Sequence, residues 1–154
     1  MKPHPPRLTD PPNRIITALL GYAVLSGVLY LTGVLAPRSI EETLPPYLRV
    51  VWAACLTVGG VTALAGQYWR GRVFTGAKLK RGGLTVAAGG ILAYGSAVLL
   101  VNGLSAGGQA GLTSLVFGGA FLDRAHQIGG LLRAAAPHAE AIHRGGEEGR
   151  GAVG

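Results

Sequence analysis

Gln67, Asp123, Arg124, His126 and Gln127 stand at the edges of the apolar stretches of this chain, and they set the range of chemistry open to it. Asp123 and Gln127 are four residues apart, about one helical turn, and so share a helix face. Arg70 follows a different apolar stretch and can approach Asp123 from there. Gln67, Arg70, Asp123, Arg124 and Gln127 therefore form the candidate polar cluster. Its expected role is an interfacial anchor with a weak ion pair, because every member reaches water. A proton or ion site is the alternative. Enzyme templates fail: there is no serine elbow, no phosphate loop, and no pair of carboxylates within reach of an apolar stretch. Glu41 and Glu42 are adjacent and read as a solvated turn. His138 and His143 lie in a polar tail, and metal binding is not expected of them. Cys55 is the single cysteine and sits inside an apolar stretch, so no intrachain disulfide and no cysteine metal cluster forms. No catalytic, cofactor or metal residue is expected, and the chain is read as a non-enzyme.

Four apolar stretches must position these groups. Of the 154 residues, 49% are hydrophobic and only 14% charged, against the roughly 25% charged usual in a soluble domain. The charge is confined to the gaps between the stretches. A soluble fold of this length has too few polar residues here to cover its surface. The expected fold class is all-α: a polytopic membrane protein, a four-transmembrane-helix bundle with both termini inside. The spans are expected at about 15–36, 50–69, 84–101 and 106–124, with the last helix continuing along the inner interface to about 136. Residues 1–14 form a cytoplasmic segment, 15–136 the membrane domain, and 137–154 a flexible cytoplasmic tail after Pro137.

The first stretch is about 22 residues without a charge, enough at about 1.5 Å per residue to cross a hydrocarbon core of about 30 Å. Lys2, Arg7 and Arg14 before it raise the rival reading of a signal peptide. The apolar run is too long for one, and Pro37 follows the small-residue cleavage position at Ala36, so an uncleaved anchor is expected. Pro37 is the expected end of this helix, and Pro45-Pro46 is expected to keep the following link extended. Trp52 near one end of the second stretch, and Tyr68 and Trp69 at the other, match two headgroup interfaces. The fourth stretch, with about 15 uncharged residues, is the shortest.

Lys and Arg sort by gap. With the N-terminus inside, Lys2, Arg7, Arg14, Arg70, Arg72, Lys78, Lys80, Arg81, Arg124, Arg133, Arg144 and Arg150 fall inside, and Arg38 and Arg49 outside. That asymmetry is what topology demands of short loops, and the plasma membrane is the expected location. The formal charge of +7 would suggest nucleic acid if it lay on one amphipathic run; split among the ends of apolar stretches, it does not.

Lipid tails are as apolar as Leu, so packing in a bilayer depends on close backbone approach through small residues. Such residues recur at four-residue spacing: Cys55, Gly59 and Ala63; Gly89, Ala93 and Ala97; Ala106, Ala110, Ser114 and Gly118, with Gly107 and Gly111 beside the last set. These stripes are expected either to pack one monomer or, through the fourth span, to build a homo-oligomer. The Ser and Thr hydroxyls inside the stretches are expected to bond their own helix carbonyls. Tyr22 and Tyr94 are the candidates for hydrogen bonds between helices.

The stretches PRSIEETLPPYLRVVWAACLTVGGVTALAGQYWRG and LTVAAGGILAYGSAVLL resemble small four-span membrane proteins of actinobacteria and their phages, over roughly residues 15–130. Some small multi-span phage proteins are holins, which accumulate in the inner membrane and open it. The resemblance implies a holin-like protein working by oligomerisation in the bilayer. The alternative is a membrane anchor or scaffold for an unidentified protein partner at the cytoplasmic face. A small transporter is a third reading; four-span exporters depend on a carboxylate in the first span, and 15–36 has none. The expected partner common to all is the lipid bilayer.

Overall fold

The computed structural model describes residues 14–34, 41, 45–71, 73–103 and 108–151, and of 138–151 the backbone only. The described elements are helices: α1 (Arg14–Leu31), α2 (Pro46–Gln67), α3 (Val73–Asn102) and α4 (Gly108–Gly151). Three of them, α1, α2 and α3, are long and apolar enough to cross a membrane. At about 1.5 Å per residue the 18 residues of α1 span about 27 Å, and the 22 of α2 about 33 Å. The fourth helix is not among the three, because Asp123 and Arg124 interrupt its apolar part.

Helix ends differ from expectation for local reasons. α1 ends at Leu31, before Pro37. Gly33, at φ 72°, takes the left-handed conformation that a side chain disfavours. It lets Gly33 N–H reach Tyr30 O and Val34 N–H reach Leu29 O, both at 3.0 Å, which satisfies the last carbonyls. Pro37 lies outside the described residues. Pro45 is extended at φ −57°, ψ 150°, and Pro46 opens α2, where a missing N–H costs nothing.

The basic gap before the third apolar stretch is largely helix. α3 starts at Val73 and includes Lys78, Lys80 and Arg81. Lys, Arg, Ala and Leu are good helix formers, and Gly76, the weakest residue for a helix there, is buried against Gly66 of α2. Gly103, at φ 58°, ends α3 with its N–H on Leu99 O at 2.9 Å. Pro137 does not end the last helix; α4 continues through it to Gly151. Proline there removes one hydrogen bond, the one Arg133 O would accept, and the helix continues on both sides of that gap.

Consecutive helices run antiparallel, α1 on α2, α2 on α3 and α3 on α4. Each contact is made where backbones touch. A Cβ on Gly27 of α1 would stand 2.7 Å from Ala53 O of α2. One on Gly59 would stand 2.6 Å from Ala87 N and 2.9 Å from Gly83 O, across the α2–α3 contact. Gly95 and Gly111 face each other between α3 and α4, each about as close to the other's carbonyl. The buried positions follow alternating steps of three and four. On α4 the series is Gly111, Gly118, Phe121, Ala125, Ile128, Leu132 and Ala135, with half-buried Ser114 completing it and Gly108 and Gly129 buried outside it. That is the 3.5-residue repeat of helices packed side by side. Leu20 of α1, Leu84, Ala87 and Ala88 of α3, and Phe121 and Ala125 of α4 meet in one core.

Candidate functional site: an aromatic cleft and a basic rim

Because the helices pair in series, α1 and α4 are the two ends of the set, and they face each other across a cleft. Its volume is ≈ 660 Å³. Leu19, Tyr22, Ser26 and Tyr30 come from α1, Trp52 and Leu56 from α2, Ile91 and Tyr94 from α3, and Ser114, Phe117 and Phe121 from α4. Leu20 and Phe121 belong to the shared core, and Tyr22 and Phe117 are exposed at the rim of the cleft.

Trp52 is the hub of the lining. Its ring meets Tyr30 edge-on at 5.8 Å between centroids and Tyr94 at 5.5 Å with a 42° tilt. Both arrangements suit ring quadrupoles. Trp52 Nε1 is buried and has no acceptor among the described residues. The cleft is thus an apolar cavity with one costly polar atom in its wall. Its volume falls within the range of small-molecule pockets, about 300–1,000 Å³. Its lining offers no carboxylate, imidazole or thiol.

The expected polar cluster divides. Arg124 Nη1 donates to Gln127 Oε1 at 2.9 Å, and Gln127 Nε2 donates to Asp123 Oδ2 at 2.8 Å. These three form a chain along the exposed face of α4, where such pairs are worth a few tenths of a kcal/mol, about 0.2–0.5 each. Gln67 is not part of it. It turns toward α1 and donates from Nε2 to Thr17 Oγ1 at 2.6 Å. Arg70 is exposed beyond the end of α2, outside this chain of bonds.

The expected packing residues also divide. Gly59, Ala63 and Gly118 are buried between helices, and Cys55 meets the position of a Gly90 Cβ at 2.9 Å. Ser114 contacts Gly95 across α3–α4. Gly89 has nothing within 4 Å of a Cβ position, and Ala93 and Ala110 are exposed. The α3 stripe Gly89, Ala93, Ala97 is therefore corrected to Gly83, Ala87 and Gly90 on the α2 side and Ala88, Leu92 and Gly95 on the α4 side. Ala97 is half-buried; Ala106 and Gly107 lie outside the described residues. Thr57, Thr113 and Ser114 each donate to the carbonyl four residues back, at 2.8–2.9 Å, as expected of hydroxyls in apolar helices. Thr17 Oγ1 accepts from Gln67 Nε2.

The antiparallel order also gathers charge. Thr17 meets Gln67, Gly66 meets Lys80, and Gly129 meets Arg81, so the start of α1, the end of α2, the start of α3 and the middle of α4 share one end of the bundle. Arg14, Arg70, Lys78, Lys80, Arg81, Arg124 and Arg133 all stand there, and Arg49 stands at the other. No protein-family model matches the chain, and no curated protein or solved structure is detectably similar to it.

Proposed function

We propose that the chain is a four-span protein of the plasma membrane with both termini in the cytoplasm, acting without covalent chemistry through assembly in the bilayer. The register of α4 on α3 carries the fourth span: Gly111 lies against Gly95, and Gly118 against Leu92. If α3 crosses the membrane, the uncharged part of α4 lies at the same depth. The basic end of the bundle then faces inside by the positive-inside rule. Reporter domains fused after Asn102 and after Gly154 test this. The expected result is an active periplasmic or exterior reporter at the first position and an active cytoplasmic one at the second; the same side for both would remove the fourth span.

The activity proposed is holin-like: copies associate laterally. Small residues on the inner faces are already used within one chain. One smooth face left over is the outward face of α3, where Gly82, Val86, Gly89, Ala93 and Ser96 are all exposed and repeat at steps of four and three. This smooth face is the same kind of surface that α3 presents to its neighbours. In a Cys55→Ser background, Ala93→Cys is expected to form disulfide-linked dimers in membranes several times faster than Val28→Cys on α1. Equal rates would remove the interface. Induced expression then distinguishes activities: abrupt loss of membrane potential after a lag supports the holin-like reading.

The scaffold reading is favoured by one other observation. At 44 residues, α4 is about 66 Å long, far more than a span requires, and its second half lies at the basic end. Harmless accumulation, with a cytoplasmic protein captured through 137–154, would support an anchor in place of a holin-like assembly.

A further inference from the structure

Arg81 and Arg133 come from different helices and meet the same glycine. The Arg81 side chain crosses from α3 to α4, with Cζ 2.9 Å and Nε 3.0 Å from the position of a Gly129 Cβ. Arg133 bends back along α4, and its Nε donates to Gly129 O at 3.3 Å. Gly129 is buried beneath them, while both arginines remain exposed. Two guanidinium groups thus flank one glycine, and the Arg133 Nε–H bond goes to a neutral carbonyl. Asp123 is the one carboxylate at this end among the described side chains, and it accepts from Gln127. Like charges that flank one residue repel, and an anion between them removes that cost. The planar fork of a guanidinium matches the two free oxygens of a phosphodiester.

Depth identifies the source of the phosphate. Arg81 stands three residues before Leu84, where the charge-free part of α3 begins, and so at headgroup level if α3 crosses the bilayer. Basic clefts between helices at this level are suited to acidic lipids. We propose that Arg81 and Arg133, over Gly129, bind the headgroup phosphate of an anionic phospholipid. The inference rests on α3 and α4 lying side by side in the membrane, and not on self-association.

The test uses the full chain, purified and reconstituted in vesicles containing equal phosphatidylglycerol and phosphatidylcholine, with the lipid retained after mild extraction measured by mass spectrometry. Wild type is expected to retain phosphatidylglycerol preferentially. Arg81→Gln and Arg133→Gln should each reduce the preference about fivefold, since one basic residue near the surface is worth about 1 kcal/mol. Arg81→Lys should lose part of it, because the fork is lost while the charge stays. The double variant Arg70→Gln/Lys78→Gln removes two charges from the same end and should leave the preference nearly unchanged. An equal loss in that control would reduce the site to diffuse charge and overturn the proposal. So would an unchanged preference in both arginine variants, or displacement of the lipid by excess inorganic phosphate. Because the readout is lipid identity in a monodisperse sample, failure of self-association leaves it intact.

Discussion

Gly83→Ala is expected to destabilise the bundle by about 3 kcal/mol or more, near the upper end of overpacking costs. The added Cβ would fall on Ala63 N and Gly59 O. These are backbone atoms of α2, and no rotamer change moves them; α2 and α3 must separate. Separation also loosens the neighbouring contact between Gly66 and Gly76, where a Cβ on Gly66 would stand 2.6 Å from Gly76 O. In lipid no water is released when helices meet, so close packing and weak Cα–H···O contacts carry most of the association, and a gap forfeits them. Gly89→Ala on the same helix is the control. Nothing lies within 4 Å of its Cβ position, and alanine has the better helix propensity, so the change should stay within about 0.5 kcal/mol of wild type. Unfolding by denaturing detergent in mixed micelles, followed by far-ultraviolet circular dichroism, measures both. Indistinguishable midpoints for the two variants would refute the α2–α3 contact described above.

The same contrast explains what the sequence made legible. Long uncharged runs report the apolar helices directly, since a bilayer demands length and apolarity from each one independently. Placement of small residues on a face is different. Steps of four advance about 40° around a helix of 3.6 residues per turn, so a chain of such steps leaves the contact face within two turns. Alternating three and four holds it. The series Gly111, Ser114, Gly118, Phe121, Ala125 was present in the residue order all along. It was obscured because a four-residue repeat through Ala110, Ser114 and Gly118 shares two of its members. On α3 small residues occur on three sides, at Gly83, Gly89 and Gly95, so no repeat of small residues alone could choose the face.

The polar groups show a second limit. Asp123 with Gln127 was legible because four residues on one helix fix the distance between them. The Gln67–Thr17 bond joins residues 50 positions apart; it exists because α1 and α2 are antiparallel in one register. Gly27 against Ala53 O and Gly60 against Val24 set that register. Nothing local to either residue encodes it. The cleft is similar. Its lining combines four helices, between α1 and α4, which the serial pairing leaves at opposite ends of the set. Only the sum of three helix pairings produces that shape.

Trp52→Ala is expected to cost about 3 kcal/mol, the low end of the range for deleting a core aromatic, because Trp52 is half-buried, whereas Trp52→Phe should cost less than about 1.5 kcal/mol. The indole separates Tyr30 from Tyr94 and touches both. Its removal leaves two rings facing a void continuous with a cleft already ≈ 660 Å³ in volume, which the lining cannot collapse to fill because the helix backbones are fixed by glycine contacts elsewhere. Phenylalanine keeps a ring between the tyrosines. It also deletes Nε1–H, a buried donor with no acceptor among the described residues, and an unpaired donor of that kind costs about 1–3 kcal/mol while it remains. The loss of ring area and the removal of that penalty therefore oppose each other. Detergent unfolding of both variants in a Trp69→Phe background gives the comparison, with circular dichroism as the common signal. A phenylalanine variant as unstable as the alanine variant would mean that the indole N–H holds a partner that matters as much as the ring, and the cleft would then have to be understood as a hydrogen-bonding site in place of an apolar one.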